Sequence, residues 1–189
     1  MTYDKLDNDE LLRIALDAVN QDRHAEAVTM LKTLIERDPR HKYATYLLAA
    51  EHAQLGMMDR AEEGFRRSVE LAPDFPMARF QLGQLYLVKN DGASAQAVLA
   101  PLTKLPAGDA LSAYARGLIA AAEEDLPGAI ESLRAGLACE QTIPALASDM
   151  QRVLNNLLAL RDGPPPAAMV GSAGAASPLF LSNYGKSGS

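Results

Sequence analysis

The feature that most limits what this chain can become is a 34-residue period. Ala27, Ala61, Ala95 and Ala129 are spaced 34 apart. The small residues Ala15, Ala49, Gly83 and Gly117 keep the same interval, and so do Leu31, Phe65, Leu99 and Leu133. Ile14, Leu48 and Leu82 form a further row until Arg116 breaks it. Pro39 and Pro73 close successive periods, whereas Pro106 and Pro144 fall slightly off the interval. A fixed period of this length marks a stacked array, in which each unit buries its apolar face only against its neighbours.

Each period reads as two helices. In the second, residues 42–55 form one helix, Gly56-Met57-Met58 the turn, and residues 59–71 the next, with Asp59 as the N-cap. Pro73 then prevents the chain from continuing as helix. The Ala and Gly rows have a physical cause, because antiparallel helices joined by a short turn close to ~8 Å only where the facing side chains are small. On this reading the Ala of one helix sits against the small residue of its partner, and the Leu or Phe fills the gap to the next repeat. Composition agrees: 48% of residues are hydrophobic but only 5% aromatic, so strand-favouring rings are scarce where helix-favouring Ala and Leu abound. The predicted fold class is all-α.

These rows resemble the tetratricopeptide repeat, with its small–small helix contact, large apolar residue and closing Pro. The resemblance implies a right-handed α-solenoid of antiparallel helix pairs. Four copies, about 8–41, 42–75, 76–109 and 110–143, follow an extension at 1–7 and belong to one domain at 8–162. The fourth departs from the pattern at Arg116, at Gly136 where the others have Leu34, Ser68 and Leu102, and at Gln141 where Pro is expected. A capping helix at about 143–161 follows, with Thr142 as its cap and an apolar stripe of Met150, Val153, Leu154, Leu157 and Leu158. Residues 163–189 turn to Gly, Pro, Ala and Ser and read as a flexible tail with one apolar segment at 178–184.

The sequence carries little that points to chemistry. His24, His41 and His52 lack the close pairing of a metal site, and His52 falls one period before Tyr86, as a packing residue would. Cys139 has no neighbouring His to activate it and is expected as a small buried hydrophobe. Glu123-Glu124-Asp125 lies at a helix–turn junction, where Asp125 can cap the next helix. Gly185-Lys186-Ser187 lacks the upstream Gly of a phosphate loop, since Phe180 stands there. No catalytic residue, metal ligand or cofactor is expected, and the chain is not read as an enzyme.

What remains is a binding surface. In the resembled family the first helix of each repeat lines the concave side, where peptides are held. The period then assigns Tyr43, Tyr46, Met77, Phe80, Gln84, Leu111, Tyr114 and Leu118 to that groove, with Asp9, Leu12, Leu16 and Ala50 in the same rows. Three of the six tyrosines and one of the four phenylalanines fall there, which suits an apolar or amphipathic segment of a partner protein. The carboxylate clamp of certain tetratricopeptide cochaperones is missing, because Leu12, Leu16, Ala50, Met77 and Gln81 occupy the matching places. The acidic chaperones of bacterial type III secretion translocators are a second resemblance, and an oligomeric assembly scaffold is a third reading. A net charge of −6 disfavours nucleic acid as partner. No apolar run is long enough to insert in a membrane, and the acidic N-terminus is not a secretory signal, so the cytoplasm is the expected location. The segment 178–184 is read either as part of a disordered tail or as a segment that docks in a groove, its own or a neighbour's, which makes it a candidate for self-association.

Overall fold

Helix ends in this chain recur as regularly as its apolar rows. Asp22, Gly56, Asn90 and Glu124 lie 34 residues apart, and all four have positive φ, between 54° and 73°. Each follows a first helix and reverses the chain. The next residue's amide then donates back across the turn: Arg23 to the Ala18 carbonyl, Met57 to His52, Asp91 to Tyr86 and Asp125 to Ala120, at 2.8–2.9 Å. This left-handed C-terminal cap satisfies carbonyls that the helix end would otherwise leave unpaired.

The computed structural model describes residues 6–106 and 108–163. Among them are nine α-helices and no strands: α1 (Asn8–Asn20), α2 (His24–Arg37), α3 (Lys42–Gln54), α4 (Met58–Leu71), α5 (Pro76–Val88), α6 (Gly92–Leu99), α7 (Ala110–Ala122), α8 (Leu126–Ala138) and α9 (Pro144–Asp162). The tail from 164 onward, with the apolar segment 178–184, lies outside the described residues. The described chain forms two compact units that divide within α5, between Gln81 and Leu82.

In the first unit α1 packs on α2, α2 on α3, and α3 on α4. Leu11, Ala15, Met30, Leu31, Leu34 and Ala44 make the core of the first helix pair. Asp7 and Glu10 form a reciprocal capping box at the start of α1, and His41 Nδ1 accepts the Ala44 amide at 3.1 Å to cap α3. The cap expected at Asp59 is absent. Helix α4 begins one residue earlier, after Met57, and no side chain caps it, so Asp59 stands in its first turn, where its charge still favours the helix dipole.

In the second unit α6 packs on α7, α7 on α8, and α8 on α9. Asp91, Asp109 and Asp125 cap α6, α7 and α8 by accepting the amides of Ser94, Leu111 and Gly128 at 2.8–3.0 Å. Hydrogen bonds from Ser94 hold the Asp91 carboxyl below its usual range. Helix α6 has only 8 residues, against 14 in α2 and α4, and gives way to a 3-10 turn over Ala100–Lys104. Pro101 is the cause: it has no amide to donate and crowds the preceding turn. Thr142 does not cap α9; Ile143 holds the N-cap position without a side-chain bond, and Pro144 opens the helix.

The small-residue rows are buried as their role demands. Ala15, Ala27, Ala49, Ala61, Ala95 and Ala129 have no exposed surface, and Gly83 and Gly117 are buried. Their partners differ from the simple pairing. A Cβ on Gly83 would stand 2.5 Å from Leu99 Cδ2, and one on Gly117 would stand 2.8 Å from Leu133 Cγ. The large row therefore packs within its own repeat, on the small residue of the facing helix, rather than only across to the next repeat. Phe65 meets Tyr46 of its own repeat in the same way, with ring centroids 5.8 Å apart.

Candidate functional site

Helix α3 has two sides with different surroundings. At 100° per residue, Tyr43, Tyr46, Leu47 and Ala50 lie roughly opposite Thr45, Leu48, Ala49 and His52. The second set borders α2 and α4. The first set is the side on which the sequence rows place a peptide, although Tyr46 also meets Phe65 of α4 and Leu47 packs against the core of the first helix pair.

Tyr43 is 46% exposed, and Leu16 of α1, in the row of Ala50, is 39% exposed. Tyr46 is half-buried. Phe75, in the turn before α5, joins the two tyrosines. Its ring centroid is 5.3 Å from that of Tyr43 and 5.0 Å from that of Tyr46, both edge-on. His41 adds an edge contact to Tyr43 at 6.4 Å, and Lys42 Nζ lies 5.2 Å from the Tyr43 ring centroid. Burial pushes the Tyr46 phenol up to about 12, so it stays neutral across the physiological range. Met77, at the start of α5, is half-buried, and Asp9 of the same row is exposed. Phe75 does not fall in the assigned rows, and the period alone gave no signal for it; the turn that follows Pro73 carries it.

The other assigned residues are placed differently. Phe80, Tyr114 and Leu118 have no exposed surface, and Gln84 keeps only 8%. None of these four offers a surface for a peptide in this conformation. Leu111 remains half-buried. The reason is clearest at Tyr114, whose ring lies where a Cβ on Gly136 would be, 2.5 Å from its Cδ1 and Cε1. Its hydroxyl donates to Gln141 Oε1 at 2.8 Å, and Gln141 Nε2 donates to the carbonyls of Gly136 and Cys139 at 2.8 and 2.7 Å. Burial raises the Tyr114 pKa, and the Gln141 bond partly offsets this. Two departures of the fourth repeat thus belong together. Gly136 makes room for the ring, and Gln141 closes both the phenol and the end of α8. Arg116, the third departure, is exposed and donates to Ser112 Oγ at 2.9 Å.

Of the remaining candidates for chemistry, His24 and Cys139 have structural partners. His24 Nδ1 lies 2.8 Å from Glu51 Oε2, and the Glu51 side chain is almost wholly buried. His52 is also buried. Cys139 is only partly buried, at the C-cap of α8, and its thiol donates to the Ala135 carbonyl at 3.3 Å. It is therefore a helix-end residue rather than a core one. Among the described residues no group of three or more His, Cys, Asp or Glu side chains could hold a metal ion. No helix among them is long and apolar enough to cross a membrane.

Antiparallel helix pairs repeated every 34 residues, with a left-handed turn residue inside each, define a helical-hairpin repeat protein. A family model for the tetratricopeptide repeat matches residues 12–76 and 80–142, and the chain belongs to that family. Solved structures agree on the fold. TTC0263, a thermophilic tetratricopeptide protein of Thermus thermophilus, is 23% identical with a TM-score of 0.68, over 83% of this chain and 84% of that one. MamA of Desulfovibrio magneticus RS-1, residues 41 to the end, is 21% identical with a TM-score of 0.62, over 82% and 85%. PilW, a widely conserved type IV pilus biogenesis factor, is 18% identical with a TM-score of 0.63, over 82% and 70%. No curated protein matches the sequence. The family's repeats are generally non-catalytic modules for protein–protein interaction.

Proposed function

We propose that the first unit binds an apolar or amphipathic segment of a partner protein on the side of α1 and α3 that carries Leu16 and Tyr43. Tyr43, Tyr46 and Met77 are the contact residues, joined by the exposed Leu16 of α1. The observation that carries the reading is Tyr43, an aromatic ring 46% exposed yet held edge-on by Phe75. An exposed ring already fixed by its neighbours loses little freedom on binding, which is what an anchor residue needs. Phe80, Gln84, Tyr114 and Leu118 then contribute as packing beneath the helices and not as contacts.

Photo-crosslinking tests this. A crosslinking amino acid at position 43, and at position 66 on exposed α4 as a control, is expressed in the host and the adducts identified. An adduct with one protein species at position 43 and none at position 66 supports the reading. Tyr43→Ala with Leu16→Ala should then weaken that complex by about thirtyfold or more, equivalent to ~2 kcal/mol at a binding hot spot. A one-to-one adduct with an exported apolar protein would favour the translocator-chaperone alternative. Adducts only with a second copy of this chain would favour the assembly scaffold. Equal adducts at both positions refute the site.

A further inference from the structure

A second groove lies on the other side of α3, between α2 and α4. It has a volume of about 570 Å³, lies wholly within the first unit, and is lined by both apolar and charged residues. Ile35 and Leu48 supply apolar wall, and Ala49 and Gly64 form a close floor, where a Cβ on Gly64 would stand 2.7 Å from that of Ala49. Lys32, Arg60 and Arg67 line the groove against a single acid, Glu63. That is a local excess of two positive charges on a chain whose net charge is −6. Arg67 also pairs with Glu70 at 3.3 Å, an exposed contact that water screens.

His52 also lines this groove. It is 8% exposed, and its Nε2 is buried with no hydrogen-bond partner among the described residues. Buried nitrogens are seldom left unpaired, because each forfeits the hydrogen bond that water supplied. Burial, then the charges of Lys32 and Arg60, hold its pKa below the usual imidazole value, so positive potential from two flanking helices converges on this ring. An uncharged ring protonated at Nε2 is a hydrogen-bond donor there.

We propose that the groove between α2 and α4 takes an acidic, otherwise apolar peptide segment, with one carboxylate directed to His52 Nε2 and the rim formed by Lys32 and Arg60. The apolar neighbours of that carboxylate pack on Ile35 and Leu48. This site is separate from the Tyr43 side, so the chain can hold two segments at once.

The test uses the isotope-labelled full chain and three probes: a blocked Leu-Glu-Leu-Glu peptide, its Leu-Gln-Leu-Gln analogue, and inorganic phosphate. The acidic peptide should shift the amide signals of Ala49, His52 and Gly64 saturably. The Gln analogue should bind about tenfold more weakly, and so should the acidic peptide to the Lys32→Glu/Arg60→Glu chain, whose changes are on exposed side chains and spare the fold. His52→Leu should lower affinity for the acidic peptide more than that for the Gln analogue, whose carboxamide oxygen accepts the weaker hydrogen bond. Equal affinity for Glu and Gln peptides overturns the proposal. So does phosphate binding as tightly as the acidic peptide, which would mean an anion site without peptide recognition. Peptide-induced shifts confined to Tyr43 and Tyr46 would overturn it too, while leaving the first binding site standing.

Discussion

Replacing Gly136 by Ala separates local helix preference from packing in the fourth repeat. Helix propensity alone favours Ala over Gly by ~1 kcal/mol in a helix interior. The structure opposes this. The new Cβ would stand 2.5 Å from two ring carbons of Tyr114 and 3.2 Å from the Ala110 carbonyl oxygen, well inside contact distance. The ring has nowhere to go, because Tyr114 has no exposed surface and its hydroxyl is held by Gln141 at 2.8 Å. Overpacking a tight site costs ~1–3 kcal/mol, and displacing the ring would sacrifice a hydrogen bond worth ~1 kcal/mol. After the propensity gain, a net loss of ~1–3 kcal/mol is expected. Urea melts followed by circular dichroism would measure it. In a Tyr114→Ala background the obstruction is gone, so the same Gly136→Ala change should be neutral or stabilising by up to ~1 kcal/mol. A Gly136→Ala chain as stable as its parent, with no coupling to Tyr114→Ala, would refute the account of why this repeat departs from the pattern.

Further expectations follow from the turns, the phenols and the small-residue rows. Glu124 holds a left-handed conformation at φ 62°, so Glu124→Gly should stabilise by ~0.5–1 kcal/mol in the same melts, and a loss would argue against that turn geometry. The Tyr46 phenol, raised to about 12, stays protonated in the folded chain while the unfolded chain ionises near pH 10. Stability is therefore unaffected by this group below pH ~10 and falls by ~2–3 kcal/mol as pH rises from there through ~12; Tyr46→Phe should remove that fall and one late step of tyrosinate absorbance. Gly83→Leu should cost ~1–3 kcal/mol or more, since Leu99 already fills the space, whereas Gly92→Ala meets only ordinary contacts at 3.4–3.6 Å and should change stability by less than ~0.5 kcal/mol.

Period and composition together determined a great deal: an all-α chain, helix pairs and the buried Ala and Gly rows, which also carried the resemblance to the family. A repeat of 34 leaves the same residue types at the same helix position four times, and only a hairpin array satisfies them all. The turn residues were equally periodic but hidden, because Asp22, Gly56, Asn90 and Glu124 share a backbone conformation and not a side-chain type. Only the tertiary structure decided which way each ring faces. Tyr43 and Tyr114 occupy neighbouring rows of the same predicted groove, yet one is 46% exposed and the other has no exposed surface. The difference comes from residues distant in sequence, Gly136 and Gln141 for Tyr114, Phe75 for Tyr43, whose contacts no spacing within one helix can express. Helical periodicity specifies the direction of a side chain about its own axis to within a sector, and an opening as small as a missing Cβ on the next helix decides whether the ring in that sector is core or surface.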